Sequence, residues 1–378
     1  MALTRREFGK MALASVPAVA MFENPLFAQA RPNSVIDGVT LGAITYSFRS
    51  MPDQSAEATL KYCVDSGISA IELMGGPVND YARKRTGFQP PAAAGGGRGG
   101  PRGGGPGGPG GRGRGADPAA LTGSWNGQAC APAQPGTDPV TGNEPLTPAA
   151  LAGGRGTPTP EQIANAEAER KWRLGLSMDI FKDLRKMYND AGVNIYAVKD
   201  IHQETDADLE YTFAVAEALG ASHVTIELPS GPTAGATLKR LGDWGARKKI
   251  YVAYHTHAQG SMTAFDEAFR ISPGNMANVD LGHFVAGGNR GGTPLDFLNK
   301  FHGRIASAHL KDRTLPQNCA LNLPWGTGQT PLREILQLMR TNRWTFPGTI
   351  ELEYAIPEGS DAVKEVANCV NFCRRALA

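Results

Sequence analysis

The chain has 378 residues, 41% hydrophobic and 20% charged, with 38 Lys and Arg against 36 Asp and Glu. That length buries one large core or two modest ones, and a formal charge of +2 gives no global electrostatic attraction to nucleic acid. Five cysteines (Cys63, Cys130, Cys319, Cys369, Cys373) are too few and too irregular for a disulfide scaffold, which leaves an enzyme-sized globular protein with 47 glycines and 27 prolines unevenly spread.

The first thirty residues read as an address. Thr4-Arg5-Arg6-Glu7-Phe8-Gly9-Lys10, the apolar run from Met11 to Phe22 and Ala28-Gln29-Ala30 supply the charged start, apolar middle and small-residue cleavage site of an export signal. The paired arginines followed by Phe and Lys resemble the twin-arginine type, whose export machinery passes proteins already folded. The apolar run is too short to span a bilayer. Residues 1–30 are therefore expected to be a signal peptide, and 31–378 a mature periplasmic protein with no membrane attachment after cleavage.

Short β-branched runs follow at 39–45, 70–74, 194–198, 223–228, 250–255, 276–280, 305–310 and 349–353. Between most of them lie stretches of helical period: 56–66 before Gly67, 159–191 before Gly192 (long enough for two helices), 206–219 before Gly220, and 332–340. Glycine just past a helix end is the expected left-handed stop. One segment breaks the alternation. From Gly95 to Gly115 the sequence is only Gly, Arg and Pro, and the wider stretch 89–158 has few large apolar residues. It cannot bury enough surface to offset its ordering entropy, so a flexible insert after the second strand is expected. The four arginines between Gly95 and Gly115 have no Phe or Tyr interleaved, unlike an RGG-type nucleic-acid arm, and Trp125 and Cys130 are the insert's candidates for docking.

Strand and helix repeated about eight times is the arithmetic of a (β/α)8 TIM barrel. A doubly wound open sheet would want a Gly-rich phosphate turn after its first strand, and Ile44-Thr45-Tyr46-Ser47-Phe48 offers none.

Chemistry-bearing residues gather at the ends of the later strands. Tyr254-His255-Thr256-His257 closes the fifth, Asp280-Leu281-Gly282-His283 the sixth, His309-Leu310-Lys311-Asp312-Arg313 the seventh and Glu351-Leu352-Glu353 the eighth. In a barrel these ends converge on one mouth. Two histidines and two acids from successive strands make a nitrogen and oxygen cage suited to Mn, Co, Zn or Mg. Residues two apart in a strand share a face, so His255 and His257 can both point inward, as can Glu351 and Glu353. His223, at a strand start, and His302, on a loop, read as structural, and Cys369 and Cys373 as packing residues of a C-terminal helix.

The order His-x-His, Asp-x-Gly-His, His-Leu-Lys-Asp and a final Leu-Glu resembles the sugar phosphate isomerase/epimerase superfamily, the xylose isomerase-like TIM barrels. Ile71-Glu72-Leu73 and Gly326-Thr327-Gly328 fit the same pattern. The resemblance implies one divalent metal ion held by His255, Asp280, His309 and Glu353 and binding two oxygens of a sugar or cyclitol. It departs from many sugar epimerases of the group at His255, where they carry Glu; the Tyr-His-x-His form looks closer to inosose dehydratase-like and 3-keto-glycoside lyase-like members.

The expected reaction is removal of a proton beside a metal-bound carbonyl, ending in isomerisation or epimerisation of a ketose, or alternatively in loss of a β-substituent. Glu353 and Glu227 are the candidate acid and base. His257 and His283 are expected to donate hydrogen bonds to substrate hydroxyls or to orient metal ligands, and Lys311 and Arg313 to neutralise developing charge or to pair with Asp312 or another carboxylate. Tyr46, Phe48 and Trp325 offer faces on which a sugar ring could stack. A DNA-repair barrel of the endonuclease-IV type would need more metals and more histidines on the second and third strands, where Glu72 and Lys199 stand.

Overall fold

The computed structural model describes residues 31–89, 123–130 and 159–378. The expected signal peptide 1–30, and the expected insert apart from Gln89 and 123–130, lie outside the described residues.

Eight parallel strands form a closed ring: β1 (Val39–Ile44), β2 (Ala70–Met74), β3 (Asn194–Lys199), β4 (His223–Glu227), β5 (Tyr251–His255), β6 (Asn275–Asp280), β7 (Ile305–Leu310) and β8 (Gly348–Ile350). Each pairs with the next, and β8 closes on β1 through Gly348–Leu41, Thr349–Gly42 and Ile350–Ala43. The expected (β/α)8 TIM barrel is thus present, and all eight predicted strands are found. A short strand, Val35–Ile36, turns back onto β1 through Asp37 and Gly38, both at positive φ as a two-residue hairpin requires.

Helices surround the ring. The stretch 159–191 does hold two, Pro160–Leu174 and Asp179–Asp190, the first opened by a capping box between Thr159 and Gln162. Gly220 stops Asp206–Leu219 in the left-handed region, as its place in the sequence predicts. Further helices include Gly75–Thr86, Ala234–Lys248, Leu281–Ala286, Pro294–Phe301 and Ala362–Leu377. Cys369 and Cys373 are buried on the last of these, as packing residues.

The eighth strand is shorter than its sequence pattern. Ser47, on the turn after β1, donates its hydroxyl to the carbonyl of Ile350 and accepts from the N–H of Leu352, each at 3.0 Å. A side chain thus replaces the neighbouring strand past Ile350, and Glu351 and Glu353 ride on a loop at the C-terminal mouth.

Polar side chains also fill the barrel interior. Tyr196 occupies the space opposite Gly42, where a Cβ would lie 2.6 Å from its ring, and its hydroxyl meets Thr349 Oγ1 at 2.7 Å. His223 spans Ser222 Oγ at 2.9 Å and Ser307 Oγ at 3.0 Å. It is structural, as expected.

Within the expected insert, 123–130 forms a hairpin of Ser124–Trp125 with Gln128–Ala129. Gly123 packs so tightly on the carbonyl of Gln317 that no Cβ fits. Cys130 is disulfide-bonded to Cys319, on the loop that follows β7.

Burial pushes the His223 pKa down to about 4, below its value in an unfolded chain, so protons bind the unfolded state preferentially. The stability that depends on neutral His223 is complete at neutral pH and is lost as pH falls from about 6.5 to about 4. Denaturant melts should therefore show wild type losing ground to His223→Gln over that window, by at most about 1.4 kcal/mol per pH unit. A constant difference between the two proteins would refute this.

Candidate functional site

Strand register explains why distant residues meet. The ladder sets Glu227 beside His255, His255 beside Asn278, and Asp280 beside His309, all at C-terminal strand ends. Single donor atoms of His255, Asp280, His309 and Glu351 lie within 4.8 Å of one another, and all four residues are buried.

Each of these side chains is oriented by a neighbour. His255 Nδ1 is 2.8 Å from Asn278 Oδ1; an amide oxygen only accepts, so Nδ1 carries the hydrogen and the Nε2 lone pair is left for a ligand. Burial, reinforced by the Lys199 charge, lowers the His255 pKa well below normal and keeps the ring neutral. Asp280 accepts the His283 N–H at 2.7 Å through Oδ1, capping the helix Leu281–Ala286. Its Oδ2 is buried without a hydrogen bond, 3.1 Å from Lys311 Nζ. Gly282 permits this crowding, since a Cβ there would lie 2.6 Å from Lys311 Cβ.

His309 stands between two carboxylates, with Nε2 2.8 Å from Glu72 and Nδ1 2.6 Å from Glu351. Glu72 is fully buried and accepts from Thr225 Oγ1 at 2.6 Å and Asn278 Nδ2 at 3.3 Å. Burial opposes charge on both partners, but their attraction prevails: the Glu72 carboxyl is held down at about 2 and the His309 ring is lifted to about 10.

These features fit a divalent cation. The donors are nitrogen and oxygen, one carboxylate oxygen is buried with no hydrogen bond, and burial raises the Asp280 pKa despite the nearby Lys311. Around the seat stand the acids Glu72, Glu227, Asp280, Glu351 and Glu353 and the permanent cations Lys199, Lys311 and Arg313. A divalent ion in place of the proton on His309 Nδ1 brings this cluster to neutrality. Glu72 would then keep Nε2–H, the carboxylate–histidine arrangement that orients metal-binding imidazoles.

Glu353, which the resemblance placed in the metal set, lies 2.6 Å from Lys311 Nζ and 3.7 Å from His283 Nε2, while Glu351 stands with the other three donors. Lys311 is buried and surrounded by Glu353, Asp280 and Glu351, which hold its pKa up against desolvation. Glu227 receives Lys199 Nζ on Oε1 at 2.9 Å; its Oε2 is buried without a hydrogen bond, 3.8 Å from His257 Nδ1. Although buried, its carboxyl is held down at about 2 by Lys199, His255 and His257.

Glu72, Lys199 and Asn278 are site residues that strand-end patterns alone do not single out. The first two carry a signal of their own, since a charge inside or closing a short apolar strand is costly unless paired. Asp312 serves the backbone instead. Its carboxylate accepts the N–H groups of Gly326, Thr327, Gly328 and Thr330, and a Cβ at Gly328 would lie 2.2 Å from it. It thereby fixes the Gly-Thr-Gly turn, while Lys311 pairs with other carboxylates, as the alternative expectation has it. Trp325 stands edge-on to Phe372 of the C-terminal helix, at 5.8 Å. Phe48 is buried against Tyr62 in the core, so it offers no face to a sugar, whereas the Tyr46 ring is covered by Arg49 at 4.2 Å.

If the four-residue seat binds metal, titration of the chelator-treated protein should show one ion per chain. Glu72→Gln should weaken its affinity about 10- to 100-fold, while His302→Gln should leave it unchanged. Equal affinity in wild type and Glu72→Gln would remove Glu72 from the metal's support.

No protein-family model and no curated protein matches the sequence. Among solved structures, the chain is similar to a sugar phosphate isomerase/epimerase from Parabacteroides distasonis ATCC 8503 (14% identity, 89% of this chain and 93% of that one, TM-score 0.48). It is also similar to a xylose isomerase domain protein from Alicyclobacillus acidocaldarius (11% identity, 90% and 99%, TM-score 0.49). A probable 3-DHS dehydratase from Bacillus anthracis matches at 12% identity over 88% of this chain and 98% of its own, with TM-score 0.49.

Proposed function

We propose that the chain is a divalent-metal-dependent isomerase or epimerase of the xylose isomerase-like kind, acting on a ketose or keto-sugar by proton removal beside a carbonyl. The observation that carries this reading is a pair of carboxylates, Glu227 and Glu353, on opposite walls of a buried cluster that could seat a cation. Glu227 closes β4 and Glu353 follows β8, and in an eight-stranded ring those strands face each other. Proton exchange at a sugar carbon calls for groups on either side of it.

The cation, held by His255, Asp280, His309 and Glu351, would supply Lewis-acid polarisation of the carbonyl oxygen. The rest is work for the chain's own side chains. Glu227 Oε2, ionised and without a hydrogen bond, is the atom that takes the α-proton, while Lys199 holds the other oxygen of that carboxylate. On the far wall Lys311 and Glu353, 2.6 Å apart, return a proton or protonate a departing oxygen. His257 and His283 bind hydroxyls between the two walls.

A second reading, a lyase or dehydratase on a 3-keto-glycoside or cyclitol, is favoured by one observation: His255 occupies the place where many sugar epimerases carry a carboxylate. The same deprotonation would then be followed by β-elimination. The proposed setting is the periplasm, reached by the twin-arginine route after cleavage near Arg31. The disulfide between Cys130 and Cys319 supports an oxidising compartment.

NMR in D2O of the metal-loaded protein with free ketoses and with 3-keto-glycosides separates the outcomes. Deuterium at one carbon with inversion or carbonyl migration supports the isomerase; release of an alcohol or water supports the lyase. Glu227→Gln should lower kcat by a factor on the order of 100 or more while the bound metal is retained. His309→Ala or Asp280→Ala should abolish both metal content and turnover, and full activity in either without metal would overturn the assignment.

A further inference from the structure

Leu352 stands between the two acids that follow β8, and both polar groups of its backbone are taken by side chains from the turn after β1. Its N–H donates to Ser47 Oγ at 3.0 Å, and its carbonyl accepts from Arg49 Nη1. Ser47 Oγ also donates to the carbonyl of Ile350 at 3.0 Å, so one hydroxyl bridges the residues on either side of Glu351. From the opposite flank, the carbonyl of Leu310 on β7 accepts the N–H of Glu351 at 3.3 Å. The segment 350–352 is thus held from both neighbouring strands, although β8 itself ends at Ile350.

The turn that holds this segment is itself anchored. Thr45 Oγ1 accepts the N–H of Met74, at the end of β2, at 3.1 Å, and Ser47 is buried. Arg49 is exposed, but its guanidinium lies over the Tyr46 ring at 4.2 Å and donates to the Tyr46 carbonyl at 3.1 Å, which fixes a long side chain before it reaches Leu352.

The carboxylates on either side of Leu352 have a reason to move. Lys311 Nζ lies 2.6 Å from Glu353 and 3.1 Å from both Glu351 and Asp280, so three acids crowd one ammonium and repel one another. A loop free to shift would relieve that repulsion by swinging Glu351 or Glu353 out to water, where an ionised acid is better solvated. Glu351 instead stays 2.6 Å from His309 Nδ1.

We propose that Ser47 and Arg49 are positioning residues: by holding Leu352 at its N–H and its carbonyl, they keep Glu351 at the cation seat and Glu353 on Lys311. They act through the backbone of 350–352 and not by touching substrate. The consequences for metal binding and turnover rest on the proposed function; the dependence of the two carboxylate positions on the turn does not.

The test takes the full chain through crystallography of the chelator-treated protein, zinc titration, and kinetics of proton exchange in D2O on a ketose. In Ser47→Ala and in Arg49→Met, Glu351 should leave His309 or Glu353 should leave Lys311 by about 1 Å or more, and zinc affinity should fall about tenfold. The same variants should lose about tenfold or more in kcat with KM changed by less than about threefold, and Arg49→Lys, which keeps a donor for the Leu352 carbonyl, should recover part of each loss. Should Ser47→Ala fail to fold, Arg49→Met carries the test, because its side chain is exposed. Carboxylates that stay in place in the variants, or zinc affinity within about twofold of wild type once they have moved, would overturn the proposal. Displaced carboxylates in a protein whose wild type binds no zinc and turns over no sugar would support the positioning role and count against the proposed function alone.

Discussion

Five carboxylates crowded at the mouth of one barrel are the constraint to which the remaining site features respond. Removing an acid from water is costly unless a cation accompanies it, and Glu72, Asp280 and Glu351 are all buried. Lys199 answers Glu227, Lys311 answers three acids at once, and His309 takes a proton to lie between Glu72 and Glu351. The arrangement still leaves Asp280 Oδ2 without a hydrogen bond. A fold that only needed stability would gain by replacing such a cluster with apolar side chains of similar volume. Its presence at the C-terminal end of the barrel, where loops and strand ends converge, points to chemistry.

Much of this is readable from residue patterns alone. Eight short β-branched runs separated by helical stretches, with glycine at the stops, require no tertiary knowledge, and the ring of β1 to β8 follows from them. His255, Asp280 and His309 are visible because each ends a strand, and strand ends share a rim. The choice between Glu351 and Glu353 is not visible. Period-two alternation places both on one face, whereas their different partners, His309 for Glu351 and Lys311 for Glu353, lie on another strand and its loop. Glu72, Lys199 and Asn278 are harder still, because their roles come from partners on other strands, such as Thr225 and His309 for Glu72, and local pattern holds no record of such pairings.

Hydrogen-bond direction assigns roles that distance leaves ambiguous. His255, His283 and His309 are all buried at the same mouth. Asn278 Oδ1 places the hydrogen of His255 on Nδ1 and leaves the Nε2 lone pair open, while His283 meets a cation at each ring nitrogen, Arg313 at Nδ1 and Lys311 at Nε2. His309, between two acids, holds two hydrogens, one of which a bound cation would replace. Three chemically identical side chains therefore stand in three different hydrogen-bond settings, beside an amide, between two cations and between two acids.

The segment after β7 carries several of these neighbours in a short span. All three side chains of Lys311, Asp312 and Arg313 are buried, the first against the acid cluster, the second on the turn at 326–328 and the third on His283. Each of those contacts depends on where the loop from 311 to 331 lies. Asp312 fixes its far end through four backbone N–H groups, and the disulfide from Cys319 to Cys130 fixes its middle. The hairpin at 123–130 is thus joined to the loop that sets the electrostatics of the mouth. A long insert with little capacity for a core of its own still contributes here, because a covalent bond needs no buried area to hold its partner in place.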